Sequence, residues 1–130
     1  MSVVINVAGI RDIPEATFRS DVVVQLQRLG ITVFPRNDPP KFPVLRLNVD
    51  ATLARLTGSL FTVYTLSLEF RELFPLQSAS AQAQYVRTTV WSTGSFGAMP
   101  SIQAMSLRAE ADKLTSEFAK VYRAVNNAGR

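Results

Sequence analysis

The chain of 130 residues contains no cysteine and no histidine. The first absence excludes disulfides, thiolate nucleophiles and cysteine-rich zinc sites. The second excludes every catalytic triad that uses imidazole as its base, and haem held by histidine. Long hydrophobic runs are also missing. Apolar stretches stop at three or four residues, far short of a bilayer span. The chain opens Met1-Ser2-Val3-Val4 with no basic segment and no apolar leader. Either a cytoplasmic protein or a protein read after removal of a signal is expected. The lack of cysteine suits an exported protein.

What is present is ordinary globular material. Hydrophobic residues make up 47% and charged residues 18%, too apolar for disorder. The length is that of one domain able to bury a core without staples, and a single α+β domain over 1–130 is expected. The net charge is +4, and 11 of the 14 basic residues are arginine. Arginine suits phosphate and carboxylate recognition. Yet Arg11, Arg19, Arg28, Arg36, Lys41, Arg46 and Arg55 are scattered with no run of three. A nucleic-acid surface clusters its charge, so nucleic acid is not the expected partner.

Val3–Ala8 is β-branched, bounded by Gly9, and reads as a strand. Asp12-Ile13-Pro14-Glu15 resembles a capping box opening a helix over 14–29. Phe18, Val22, Leu26 and Leu29 form its apolar stripe, and Gly30 closes it. Ile31–Phe34 reads as a second strand, followed by a rigid polar loop over 35–41. Leu45, Leu47, Val49, Ala51 and Leu53 then alternate with Arg46, Asn48, Asp50 and Thr52, a strand with one face to the core and one to water. A turn at 56–59 leads to a strand over 60–74. Its apolar phase changes from Phe61 and Val63 to Tyr64, Leu66, Leu68 and Phe70, which predicts a bulge near 63–65. Pro75 is expected to end it, and 77–83 reads as a polar loop. The last strand is expected over 84–93, broken by Gly94-Ser95-Phe96-Gly97. A final helix over 101–126 carries Ala104, Leu107, Ala111, Leu114, Phe118, Val121 and Val125 at 3-4 spacing. Arg108/Asp112 and Lys113/Glu117 are candidate i,i+4 pairs along it. The order β-α-β-β-β-β-α gives a two-layer α+β sandwich, a mixed sheet with two helices on one face.

Chemistry-bearing constellations are few. Glu69, Glu72 and Asp50 are carboxylates on polar strand faces or strand ends, and nothing enforces a catalytic pair. Ser92, Thr93, Gly94, Ser95 and Gly97 precede a helix and form a candidate anion loop. The spacing and lysine of a P-loop are missing. Tyr85, Trp91 and Phe96 are a candidate stacking platform without the surrounding RNA-binding pattern. Arg46, Asn48, Asp50 and Thr52 are the candidate interaction face. No catalytic, cofactor or metal residue is assigned, and no cofactor is expected.

Several segments resemble a family of small secreted or periplasmic bacterial proteins of uncharacterised activity. Phe18-Arg19-Ser20-Asp21-Val22 with Gln25-Leu26 and Leu29-Gly30-Ile31 is similar to that family's "LRTDVELRLRxAGI" segment. Tyr64–Arg71 and Thr89-Val90-Trp91-Ser92-Thr93-Gly94 are further matching stretches. Glu117-Phe118 with Tyr122–Asn126 resembles its "DEFxxxYLAVN" ending. The short start and the 75–84 segment depart from the pattern. The element order also looks like the N-terminal domain of the translocation protein TolB and like small envelope lipoproteins that pair with larger assemblies. The resemblance carries over no activity; the missing catalytic toolkit, the single compact domain and the envelope-like topology together lead to the expectation of a non-enzymatic envelope protein, periplasmic or secreted, that docks on a larger assembly or on itself. Two alternatives are a self-assembling subunit like a phage tail-terminator ring, and small-ligand or anion binding at 92–97.

Overall fold

The computed structural model describes residues 1–10, 13–35, 39–76, 84–99 and 104–127. Strand β1 (Ser2–Ala8) leads into helix α1 (Glu15–Arg28), followed by β2 (Val44–Leu56), β3 (Ser59–Leu76), β4 (Gln84–Met99) and α2 (Ala104–Asn127). The sheet order is β1-β2-β3-β4, with β1 and β2 parallel and the other pairs antiparallel. The architecture is therefore mixed α+β, as the alternation and helical stripes require.

Alternation decides which face is buried. Val3 and Ile5 of β1, Leu45, Leu47, Val49 and Ala51 of β2, and Leu66, Leu68 and Phe70 of β3 all point to one side. Phe18, Val22 and Leu26 of α1 meet them there, with Leu107, Ala111, Leu114 and Phe118 of α2. Both helices thus cover the same face. Two polar bridges tie the helices together. Gln25 Nε2 donates to Ser116 Oγ at 2.7 Å, and Arg108 forks onto both Asp21 oxygens at 2.8 Å.

The second expected strand, Ile31–Phe34, forms no strand, and two backbone hydrogen bonds to Met1 hold it in place. The Met1 nitrogen donates to the Thr32 carbonyl at 3.2 Å, and the Phe34 amide donates to the Met1 carbonyl at 2.8 Å. Helix α1 starts without the expected capping box. Pro14 is the N-cap and makes no side-chain cap bond, while Glu15 turns to Arg19 at 3.5 Å. Asp12 lies outside the described residues. Gly30, at φ 80°, ends the helix as the sequence predicts.

The expected bulge near 63–65 is not there. Pairing of β2 with β3 is continuous from Val44↔Arg71 to Leu56↔Ser59. Phe61 and Val63 lie on the alternate set opposite Tyr64, Leu66, Leu68 and Phe70, so the phase change marks apolar residues on the uncovered face. The register shift falls instead between Phe70 and Arg71, against β4. Pro75 does not end β3, because it pairs with Tyr85 in the edge hairpin. The expected loop at 77–83 lies outside the described residues. Thr57 and Gly58, both at positive φ, close the β2–β3 hairpin in the handedness that matches strand twist.

Arg108 chooses Asp21 on α1 over its expected helical partner Asp112. Asp112 is exposed as a residue, yet partial desolvation and then the Asp21 carboxylate push its carboxyl above the usual aspartate range. Arg108 and Arg28 oppose that rise. A raised carboxyl makes the folded state bind its proton more tightly than the unfolded chain. That contribution is full at low pH and is lost as pH rises through the folded value. The Asp112→Asn variant is therefore expected to be more stable than the parent at neutral pH. The gain should vanish near about pH 3. Thermal unfolding at both pH values checks this, and an equal or lower midpoint for the variant at neutral pH contradicts it.

Candidate functional site

With both helices on one side, the opposite face of the sheet is left open. Arg46, Asn48, Asp50 and Thr52 alternate with buried Leu45, Leu47, Val49 and Ala51, so all four lie on this open face. The register supplies their neighbours. Arg46 stands beside Val4 and Glu69, Asn48 beside Asn6 and Ser67, and Asp50 beside Ala8 and Thr65. One row is bonded across three strands. Asn6 Nδ2 donates to Asn48 Oδ1 at 3.0 Å, and Asn48 Nδ2 donates to Ser67 Oγ at 3.2 Å. This row orders the centre of the face while leaving it polar. Thr52 pairs with Val63 nearer the hairpin end.

The segment 92–97 is not a loop. Residues Ser92, Thr93, Gly94, Ser95 and Gly97 lie inside β4, paired in turn with Glu69, Leu68, Ser67, Leu66 and Tyr64. Strand alternation then divides them. Ser92 and Gly94 share the open face with Glu69 and Ser67. Thr93, Ser95 and Gly97 share the helix side with Leu68, Leu66 and Tyr64. Thr93 Oγ1 meets Glu117 of α2 at 3.3 Å, and Ser95 Oγ is buried without a hydrogen-bond partner. Side chains on opposite faces of a sheet do not converge on one anion. The glycines serve close approach instead of a turn. A Cβ at Gly94 would come 2.8 Å from the Leu66 carbonyl oxygen, and one at Gly97 would come 2.6 Å from the Tyr64 hydroxyl.

The three aromatics of the stacking platform are also separated. Trp91 packs against Phe118 at 5.5 Å between ring centroids, on the helix side. Phe96 is 85% exposed and shares the open face with Thr65. Tyr85 is exposed in the outer hairpin. Among the described residues no group of three or more acidic side chains is placed to hold a metal ion, and no helix is long and apolar enough to cross a membrane.

Two features escape sequence reading. The first is a groove of about 480 Å³ between the end of α2 and strands β3 and β4, lined by Phe70, Trp91, Phe118, Tyr122 and Val125 among others. Val121 and Val125, expected in the helical seam, stand exposed along it. The second is a cleft at the Val44 end of the open face. There Pro40 and Phe42 fold over the sheet beside Arg46, Arg71 and Arg87. Val44 and Ser2 are buried as a result, and the Lys41 amide donates to Ser2 Oγ at 3.0 Å. Alternation places Arg46 on the open face, but only register adds Arg71 and Arg87.

β4 is an edge strand of 16 residues. Its sequence, Gln84 to Met99, holds one charged residue, Arg87, and no proline. Charge and proline are two devices by which an edge resists pairing, and both are scarce here; a third, a bulge, interrupts β4 at Val90, so the regular stretch from Trp91 to Met99 is the part left without an outer neighbour among the described residues.

No family model matches the chain, and no curated protein matches it. Among solved structures, it is similar to a minor lipoprotein from Acinetobacter baumannii, with 11% identity and a TM-score of 0.36 over 96% of this chain and 92% of that one. It is also similar to the rare lipoprotein B from Shewanella oneidensis, with 11% identity and a TM-score of 0.31 over 99% of this chain and 94% of that one.

Proposed function

We propose that this protein is a non-enzymatic accessory protein of the bacterial envelope, periplasmic or secreted, that docks on a larger protein assembly. The observation that carries the reading is the regular edge of β4 from Trp91 to Met99, free of charge and proline, next to an uncovered sheet face that mixes Arg46, Asn48, Asp50 and Thr52 with apolar Phe61, Val63 and Phe96. An added strand satisfies the edge amides and carbonyls, and side chains on the open face then set which partner fits. Arg46, Asn48, Asp50 and Thr52 supply charge of both signs and hydrogen-bonding groups, the composition of a wet, reversible contact. The absence of histidine and cysteine from the chain supports binding over catalysis.

A photo-crosslinking amino acid at Phe96, on the exposed edge, tests this in bacterial envelope fractions. The control carries it at Val24, exposed on α1. One defined protein captured from position 96 and none from position 24 is the expected result. The capture should be lost when Arg46 and Asp50 are exchanged. Equal capture from both positions, or none, overturns docking through this face. Capture of a second copy of the chain supports self-assembly in its place.

A further inference from the structure

We infer that the cleft at the Val44 end of the open face is a binding site for a single phosphate group, free or carried as a monoester on a larger molecule. Three guanidiniums meet there from three adjacent strands: Arg46 on β2, Arg71 on β3 and Arg87 on β4. Arg46 faces Glu69 in the register, and Arg71 faces Val44 and Thr89. Despite that neighbour, the ion pairs among the described residues are those of Arg19 with Glu15 and Arg108 with Asp21. None of the three cleft arginines takes part in them.

Burial sharpens the point. Arg46 Nε and Arg71 Nε are both shut away from solvent, and neither has a hydrogen-bond partner among the described residues. Buried N–H groups are nearly always satisfied, and a cation's N–H more so. Two such donors in one cleft, on like charges, are a demand for an acceptor with several oxygens and negative charge. The third cation is held differently. The Arg87 guanidinium lies over the Phe42 ring at 5.3 Å. A cation–π contact draws on the charge of the group and needs no oxygen acceptor, so the N–H donors of Arg87 can still serve an oxyanion.

Size narrows the ligand. The cavity is about 40 Å³, roofed by Pro40 and Phe42. That suits the oxygens of one tetrahedral group and excludes a drug-sized body, which needs several hundred Å³. A phosphate offers three or more acceptor oxygens to fork-shaped donors and balances most of their charge. The site shares Arg46 with the open face and takes Arg87 from β4, but its readout, phosphate titration of arginine resonances, is independent of protein capture at Phe96, so its failure and that of the docking proposal are distinguishable.

The side-chain Nε–H resonances of Arg46 and Arg71 report on the site directly. They should be followed by nitrogen-15 NMR while inorganic phosphate replaces sodium chloride at constant ionic strength. Saturable shifts of both resonances are expected in phosphate, with none on chloride addition. Arg71→Gln and Arg87→Gln should each weaken the titration at least tenfold, while Arg123→Gln on α2 leaves it unchanged. Dispersed amide spectra of each variant show that the fold is kept. Vesicles of phosphatidylcholine with and without phosphatidic acid identify the source. Binding only to the latter, displaced by phosphate, assigns a lipid headgroup, and phosphate binding without vesicle binding assigns a soluble ligand. Absence of saturation in phosphate, or variants that titrate like the parent, overturns the site.

Discussion

Replacing Gly9 by alanine is expected to cost about 2–5 kcal/mol of stability, from a left-handed backbone penalty of roughly 1–2 kcal/mol and an overpacking cost of about 1–3 kcal/mol. Gly9 sits where the chain leaves β1, at φ 79°. An added methyl there would overlap the carbonyl oxygen of Ala51 on β2, a backbone atom held in the sheet. Gly58 provides the matched control. It has φ 80°, yet nothing lies within 4 Å of a Cβ built on it. Gly58→Ala should therefore carry the conformational penalty alone. Urea unfolding of the two variants separates the terms. Equal losses would show that the approach of Gly9 to Ala51 is relieved at no cost, and would undo this account of how β1 is seated on β2.

The second large effect is expected at Phe118. Its ring is 2% exposed and sits among three others, 5.1 Å from Phe70, 5.5 Å from Trp91 and 5.5 Å from Tyr122. Through these contacts one side chain fastens α2 to both β3 and β4. Phe118→Ala removes the ring and leaves a cavity that three rigid neighbours cannot fill, at a cost of about 3–5 kcal/mol. Val125, seven residues on in the same helical stripe, is 68% exposed. Val125→Ala should change stability by less than about 0.5 kcal/mol. Denaturant midpoints of the pair decide the matter, and comparable losses would mean that α2 is docked along its whole length.

That contrast shows what a stripe of apolar residues conveys. The 3-4 spacing in α2 announced a helix and its inward side over Leu107, Ala111, Leu114 and Phe118. It did not announce that burial along the stripe stops after Phe118, leaving Val121 and Val125 exposed. Thr115 and Ala119, which the stripe omits, are also buried: Ala119 lies beside Gln25, Leu29 and Ser116 between the helices, and Thr115 Oγ1 donates to the Ala111 carbonyl. The same holds for glycine. Gly94 and Gly97 look like a turn beside serine and threonine. They are strand residues because Leu66 and Tyr64 lie against them, and those neighbours are 28 and 33 residues away in the chain.

The candidate site divides along similar lines. Strict alternation in β2 was enough to put Arg46, Asn48, Asp50 and Thr52 together on one face, since a strand has only two faces. Alternation also shows why the 92–97 group fails as a cradle once β4 is known to continue through it. The phosphate cleft needed more. Arg71 and Arg87 are brought to Arg46 by cross-strand register and by the shift after Phe70. Phe42 and Pro40 reach the same place because the chain folds back over the sheet end before β2 begins.

The sequence by itself determined the α+β class, the two helical stripes, the alternating strand β2 and the lack of imidazole and thiol chemistry. These are local properties, set by spacing and residue type within a few turns or strand repeats. Only the tertiary structure decided the length of β4, the open edge, the end of the α2 seam and the meeting of three arginines. Each depends on which residues face one another across strands, and that pairing is set by packing of the whole core against both helices.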